Sequence, residues 1–383
     1  MHTCALQRFT EDSHAPAAPA AEWIDQRHAL ERWLAELPSA ASPGLDTEFM
    51  RRNTFHPQLA LLQLGWDGRY ALVDPLAFDI GDALRPRLGA TNTVVVMHSA
   101  GEDLETLAPF LPEGPGTLFD TQIAAAFAGM SLGMSYRALV AELAGVELDK
   151  GETRSDWMQR PLTESQCSYA TLDVVYLDTI HAQLAERLQQ RDRTAWHAED
   201  CERLKQRASH RDGDPQPQRG SRGAAEWPRA QQALLRRILL WRDRSARTLD
   251  RPRPWLLEDA LAMSLAQQPP ASLAELDQRS RGQRALRSPQ RAELFELLAP
   301  PVSDEELAST ASIPAVPQGE AKKALGAMKQ RIDQRATELD LPPGLLCPRK
   351  VLEEYVVTAE WPDFLDGWRR SVLHDELPAL LPG

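Results

Sequence analysis

Three short runs of apolar and β-branched residues, Leu59–Leu64, Tyr70–Val73 and Thr93–Met97, are bounded by Gly, Asp and Pro and alternate with stretches of helical spacing. Such runs are buried strands, because β-branched side chains fit a pleated surface and four to eight residues are too few for a core helix. Upstream, Leu30, Leu34 and Leu37 recur at helical spacing until Pro38, a residue that cannot continue a helix. Strands alternating with helices predict an α/β unit with a mixed sheet flanked by helices. The alternation stops at Asp212-Gly213-Asp214-Pro215-Gln216-Pro217-Gln218-Arg219-Gly220, a polar stretch without apolar period that reads as a linker. Beyond it Leu234, Leu235, Ile238, Leu239 and Trp241 make one helix face, and Leu257, Leu261 and Leu265 another. The remainder is therefore all-α, built as helical bundles.

A chain of 383 residues is long enough for more than one core. Residues 1–21, rich in Ala and Pro, are expected to be a flexible extension; 22–208 form the α/β domain and 209–226 the linker. Ala299-Pro300-Pro301 ends a helical pattern and Ser303-Asp304-Glu305-Glu306 opens the next. That divides the helical part into 227–300 and 301–383. Cys4, Cys167, Cys201 and Cys347 show no C-x-x-C pairing, which excludes a disulfide framework and a cysteine zinc site and fits a reducing cytoplasm. Neither a leader nor a membrane span is indicated, and a monomer is expected, because no coiled-coil seam stands out.

The formal net charge of −12 would ordinarily disfavour a polyanionic partner. The charge is uneven, however. Residues 211–300 hold 16 Arg and no Lys against 11 Asp and Glu. Arg236, Arg237, Arg242, Arg244, Arg247, Arg251 and Arg253 predict a basic helix face that follows a phosphate backbone, although ordinary helix surface would look the same.

The acidic residues that carry chemistry fall in three places. In Leu45-Asp46-Thr47-Glu48-Phe49, period-2 geometry points Asp46 and Glu48 to one side of a strand. In His98-Ser99-Ala100-Gly101-Glu102-Asp103, the last residue stands at a strand-to-helix junction. Tyr169 and Asp173, at i and i+4, share a helix face. Singly, each is ordinary: a solvated strand end, a first-turn carboxylate, a boundary aromatic. Together they are four carboxylates and a phenol. Hard oxygen ligands without a Cys/His cluster suit Mg²⁺ or Mn²⁺, and a pair of such divalent metal ions suits phosphodiester hydrolysis. A phenol with an unperturbed pKa of ~10 is better placed to orient water than to act as a base.

In order and spacing, Asp46/Glu48, Asp103, Tyr169 and Asp173 resemble the three exonuclease motifs of the tyrosine branch of the DEDD superfamily. Leu45–Leu64 and Ser155-Asp156-Trp157-Met158-Gln159-Arg160-Pro161-Leu162 are similar to the bacterial ribonuclease D family, and the segments after the linker resemble an HRDC domain and a second, divergent copy. The resemblance implies a ribonuclease-H-like core that removes nucleotides 3′ to 5′ from RNA with a free 3′ end, tRNA precursors among them, and releases nucleoside 5′-monophosphates. It also implies that Asp46, Glu48 and Asp173 bind one ion, that Asp46 bridges to a second held partly through water by Asp103, and that Tyr169 positions the nucleophile. Thr47, Phe49, Gln63 and His98 lie within the motifs as candidate contacts to the terminal nucleotide, with strand or core packing as the alternative. Lys150, Arg154 and Arg160 are candidate backbone contacts, or else pair with Glu147, Asp149 and Asp156 in a solvated loop. Trp157 reads as a packing anchor. Two other readings stay open, a 3′-5′ DNA exonuclease and a catalytically idle RNA-binding scaffold; the second would be expected to have lost a carboxylate.

Overall fold

The computed structural model describes residues 17–149, 151–152, 155–209 and 213–381. Among them the strands are β1 (Glu22–Ile24), β2 (Gly44–Met50), β3 (Gln58–Trp66), β4 (Arg69–Val73), β5 (Val94–Met97) and β6 (Thr117–Asp120). They form one sheet in the order β1-β4-β3-β2-β5-β6. β2, β3 and β4 run antiparallel as successive hairpins, whereas β1 joins β4, β5 joins β2 and β6 joins β5, all in parallel. The mixed sheet read from the alternation is thus present. Helices α1 (Arg27–Ala35), α2 (Gly81–Leu88), α3 (Gly101–Leu107), α4 (Thr121–Phe127), α5 (Tyr136–Ala144), α6 (Glu164–Val175), α7 (Leu177–Gln190) and α8 (Thr194–Ser209) surround it.

The two faces of the sheet bury different partners. Leu45, Leu62, Leu64, Ala71, Val73, Val95 and Met97 meet Leu30, Trp33, Leu84, Leu104 and Leu107 of α1, α2 and α3. On the other face Leu61 and Leu72 pack on Ala170 of α6, and Val96 and Phe119 on Val174, Leu177 and Ile180. α6 lies close against the sheet because β3 has Gly65 beneath it: a Cβ there would meet the Val174 carbonyl oxygen at 3.0 Å.

The helical part comprises α9 (Arg229–Leu249), α10 (Arg253–Leu256), α11 (Asp259–Gln267), α12 (Leu273–Arg279), α13 (Ser288–Leu298), α14 (Asp304–Ser309), α15 (Gly319–Glu338), α16 (Pro343–Leu346), α17 (Arg349–Thr358) and α18 (Trp368–Leu373). It departs from the sequence reading in three respects. The prolines at 300 and 301 end α13 but not the bundle. α14 folds back on α9, where Arg237 forks onto Glu306 and onto the carbonyls of Leu297 and Pro300, and Ile313 N–H donates to buried Gln232. The core of that bundle includes Ile313.

The expected linker, of which 210–212 lie outside the described residues, is packed from 217 onward into two 3₁₀ turns, Pro217–Gly220 and Arg222–Ala224. Gln218 and Ala224 are buried, while Arg219 and Arg222 pair with Glu354 and Glu353 of α17.

The C-terminal helices, third, do not close a core of their own. Met328, Ile332, Ala336, Leu346, Tyr355 and Trp368 belong to one continuous cluster with Phe127, Leu139, Leu184 and Leu188 of the α/β part. Buried Arg369 forks onto Asp200 of α8 at 2.7 and 2.6 Å, and Arg193 donates to the carbonyls of Phe127, Leu339 and Asp340. No helix among the described residues is long and apolar enough to cross a membrane.

Candidate active site

Strand alternation in β2 sends Leu45 into the core and turns Asp46 and Glu48 to the opposite face, toward α6. Asp46 pairs in register with Gln63 and Glu48 with Leu61; the register then shifts between Glu48 and Phe49. The two carboxylates therefore sit within the strand and end at a bulge, a common device for re-aiming side chains beside a site. α6 begins with a capping box, in which Thr163 accepts the Gln166 N–H and Gln166 returns a bond to the Thr163 N–H. About one and a half and two and a half turns on, Tyr169 and Asp173 face β2. Asp46, Glu48, Tyr169 and Asp173, with Leu45, His98, Tyr136 and Leu177, line one cleft of ≈ 180 Å³.

Asp103 is buried in the first turn of α3 and does not line the cleft wall. It accepts a hydrogen bond from the Thr47 hydroxyl at 2.5 Å, which ties α3 to β2. Its helix is held in place by Asp120, whose Oδ2 accepts Ala100 N–H at 2.8 Å while its Oδ1 caps α4 through Gln122 and Ile123. The left-handed Ser99 makes the turn between β5 and α3.

Among the described residues, no Lys or Arg figures among the groups that shift these carboxylates. Burial, followed by the charges of Asp103, Asp173 and Glu48, raises Asp46 well above the usual carboxylate range. Glu48 is pushed up to about 8 by burial and then by Asp173 and Asp103, and Asp173 to about 8 chiefly by burial. Asp103 rises to about 6, also by burial, and the Thr47 hydroxyl pulls it back. Burial and the facing carboxylates push the Tyr169 phenol up as well, so that it keeps its proton at neutral pH and can donate but not act as a base. As they stand, no three Asp, Glu, His or Cys side chains among the described residues are arranged to hold a metal ion. The donor chemistry nonetheless suits one: several repelling carboxylate oxygens require a hard cation before all can ionise.

The remaining candidates separate by position. His98 lines the cleft, where its Nδ1 lies 2.9 Å from the Thr121 hydroxyl and burial lowers its pKa. Thr47 is occupied by Asp103, and Phe49 is half-buried just past the bulge. Gln63 is fully buried with neither amide atom hydrogen-bonded, so it does not reach the cleft surface. Arg160 is not brought to the site either: its guanidinium forks onto Asp74 at 2.7 and 2.6 Å and donates to the Ala60 carbonyl. Lys150 and Arg154 lie outside the described residues. Trp157 is buried 6.1 Å from the Tyr169 ring. Gly151 lies on the Tyr169 ring so closely that a Cβ there would stand 1.8 Å from Cδ2. Tyr136 also lines the cleft; sequence reading passed over it because nothing near it in the chain marks it as polar machinery.

The predicted basic face of α9 is largely spent inside the molecule. Arg237, Arg242, Arg247 and Arg253 pair with Glu306, Asp259 and Asp243, Arg236 binds the Pro215 carbonyl, and Arg251 that of Asn53. Arg244, Arg281, Arg284 and Arg287 remain exposed, and the Arg284 guanidinium lies 5.2 Å over the Trp255 ring.

Comparison with known proteins bears on the family and the fold. Residues 21–189 match the model of a 3′-5′ exonuclease family and residues 231–290 that of the HRDC domain. The chain is 45% identical over 361 residues to ribonuclease D of Xanthomonas oryzae pv. oryzae, covering 94% of this chain and 98% of that one. It is 32% identical to ribonuclease D of a Shewanella species, covering 94% of each. Among solved structures it is similar to that of Escherichia coli RNase D, described as an exoribonuclease involved in structured RNA processing, with a TM-score of 0.79 at 28% identity over 94% of this chain and 98% of that one.

Proposed function

The chain belongs to the ribonuclease D family of 3′-5′ exonucleases, and from that premise we propose that it shortens RNA from the 3′ end to nucleoside 5′-monophosphates with two divalent ions, Mg²⁺ or Mn²⁺. The observation that carries the reading is the shared cleft of Asp46, Glu48, Tyr169 and Asp173 with Asp103 behind it. Asp46, Glu48 and Asp173 would hold one ion; Asp46 would also reach the second, with Asp103 acting partly through water. When bound, such ions acidify a coordinated water and neutralise charge on the scissile phosphate. Tyr169, protonated beside Asp173, donates to and orients the attacking water. Thr47 fixes Asp103, and His98, neutral and braced on Thr121, presents an edge to the terminal nucleotide.

Precursor tRNAs are the proposed substrates, by analogy with the structured-RNA processing ascribed to the E. coli relative. A monomer acting in the cytoplasm is the accompanying proposal. Arg281, Arg284 and Arg287, with Trp255 for stacking, take over the phosphate-following role first assigned to α9. The decisive experiment is a time course on labelled RNA and DNA oligonucleotides with Mg²⁺ or Mn²⁺. Stepwise 3′ shortening of RNA, abolished by Asp46→Asn, supports the reading. Preference for DNA would support the proofreading-like alternative, and inertness of the parent protein the scaffold alternative.

A further inference from the structure

The helix that carries Tyr169 and Asp173 breaks just past the site: α6 ends at Val175, α7 begins at Leu177, and Tyr176 lies between them at φ −99°, ψ 0°. No proline or glycine occurs from 170 to 180 to cause this. In an unbroken helix the Tyr176 N–H would donate to the Leu172 carbonyl four residues earlier. Here the Tyr136 hydroxyl stands between the two groups, donating to the Leu172 carbonyl at 3.1 Å and accepting from the Tyr176 N–H at 3.2 Å. A side chain inserted into the i→i−4 ladder is one of the few physical causes of a sharp kink. The rung it replaces spans Asp173.

The break has a purpose in packing. α6 lies on β2, β3 and β4, whereas α7 packs mainly on α4 and α5 while still touching α8, β5 and β3, so the partners change across the break. Tyr136 opens α5, whose start is fixed by Ser135 accepting the Ala138 N–H. Its ring forms part of the cleft wall and lies 5.7 Å from the His98 ring. The same side chain thus touches the cleft and splices the helix.

We infer that Tyr136 is a positioning residue whose hydroxyl, spliced between Leu172 and Tyr176, sets the bend that aims Asp173 and Tyr169 at Asp46 and Glu48. The inference rests on the reading of Asp173 as a metal ligand. Without the hydroxyl, Leu172 and Tyr176 are free to close as an ordinary rung, the two helices move toward one axis, and Asp173 turns away from β2.

The test uses the full chain, with Tyr136→Phe and, as control, Asp173→Asn. Three quantities are read: Mn²⁺ affinity by electron paramagnetic resonance without RNA, kcat and KM on a single-stranded RNA oligonucleotide, and the thermal midpoint. Tyr136→Phe is expected to weaken Mn²⁺ binding about tenfold or more, as loss of a group that orients a metal ligand does, and to lower kcat with KM unchanged and the fold retained. Unchanged Mn²⁺ affinity overturns the inference, whether kcat is kept or KM alone rises, since the latter marks a contact with RNA. Failure of Tyr136→Phe to fold while Asp173→Asn folds overturns it as well. If Asp173→Asn keeps both Mn²⁺ affinity and activity, the reading of the site itself fails; if it loses both while Tyr136→Phe keeps both, only the role of Tyr136 fails.

Discussion

Asp250, in the left-handed turn that ends α9, accepts the Phe55 N–H on its Oδ1 at 2.9 Å across 195 positions of chain. The same oxygen accepts the His56 N–H at 3.0 Å, and Arg247 and Arg253 close over the Phe55 ring at 4.7 and 4.6 Å. The loop held this way follows directly on β2, the strand of Asp46 and Glu48. Phe55→Ala is expected to cost about 3 to 5 kcal/mol, the range for emptying a buried aromatic pocket. It should also speed amide exchange across residues 51–57 and slow RNA shortening several-fold. Exchange in that loop equal to the parent's would refute the coupling.

Glu48 makes stability depend on pH with a sign opposite to that of ordinary paired carboxylates. Its folded-state value is raised to about 8 from about 4.5, so without metal the folded protein keeps a proton that the unfolded chain releases. That contribution is fully present below about pH 4.5 and is lost as pH rises to about 8. In EDTA, the thermal midpoint of the parent should therefore fall relative to Glu48→Gln between these limits. Mg²⁺ should narrow the gap at pH 8. Parallel pH curves for the two proteins would show that Glu48 carries no such proton.

Gly151 leaves no room for a methyl group beside the Tyr169 ring. Gly151→Ala should displace that ring and reduce the single-turnover rate toward that of Tyr169→Phe, with a thermal midpoint close to the parent's. A rate equal to the parent's would mean that the ring is not held from this side.

Asp200 and Arg369 join α8 to α18 with both side chains almost inaccessible. Arg369→Met leaves a buried carboxylate unpaired and should destabilise by about 3 to 5 kcal/mol, whereas Arg369→Met combined with Asp200→Leu should recover a large part of that loss. Urea unfolding of the three proteins measures both. Equal midpoints for the single and double variants would assign the loss to packing of Trp368 and not to the orphaned charge.

Much of the α/β part is legible from local pattern. β3, β4 and β5 announce themselves through Leu59–Leu64, Tyr70–Val73 and Val94–Met97, and the period of two in β2 is enough to bring Asp46 and Glu48 to one face. What escapes is set by distant partners. The apolar spacing of Met328, Ile332 and Ala336 would serve an independent bundle equally well, and only the three-dimensional arrangement shows it filled by Phe127 and Leu184. Arg237 and Arg242 look like a phosphate-binding face until Glu306 and Asp259 are seen beside them. Tyr136 is silent for the same reason, since its partners are backbone groups 36 and 40 residues away.

The core shared between the α/β part and α15–α18 also bears on biosynthesis. A nascent chain that has emerged only as far as residue 318 holds the whole sheet and every carboxylate of the cleft, yet Phe127, Leu184, Leu188 and Trp196 still lack Met328, Ile332 and Trp368 to cover them. Domains that are complete in themselves fold as they leave the ribosome, N-terminal first; here α4 and α7 lack part of their apolar cover until α15–α18 have emerged. An enzyme that degrades RNA thereby completes the core beside its catalytic domain only after α15–α18 have followed the sheet out of the ribosome.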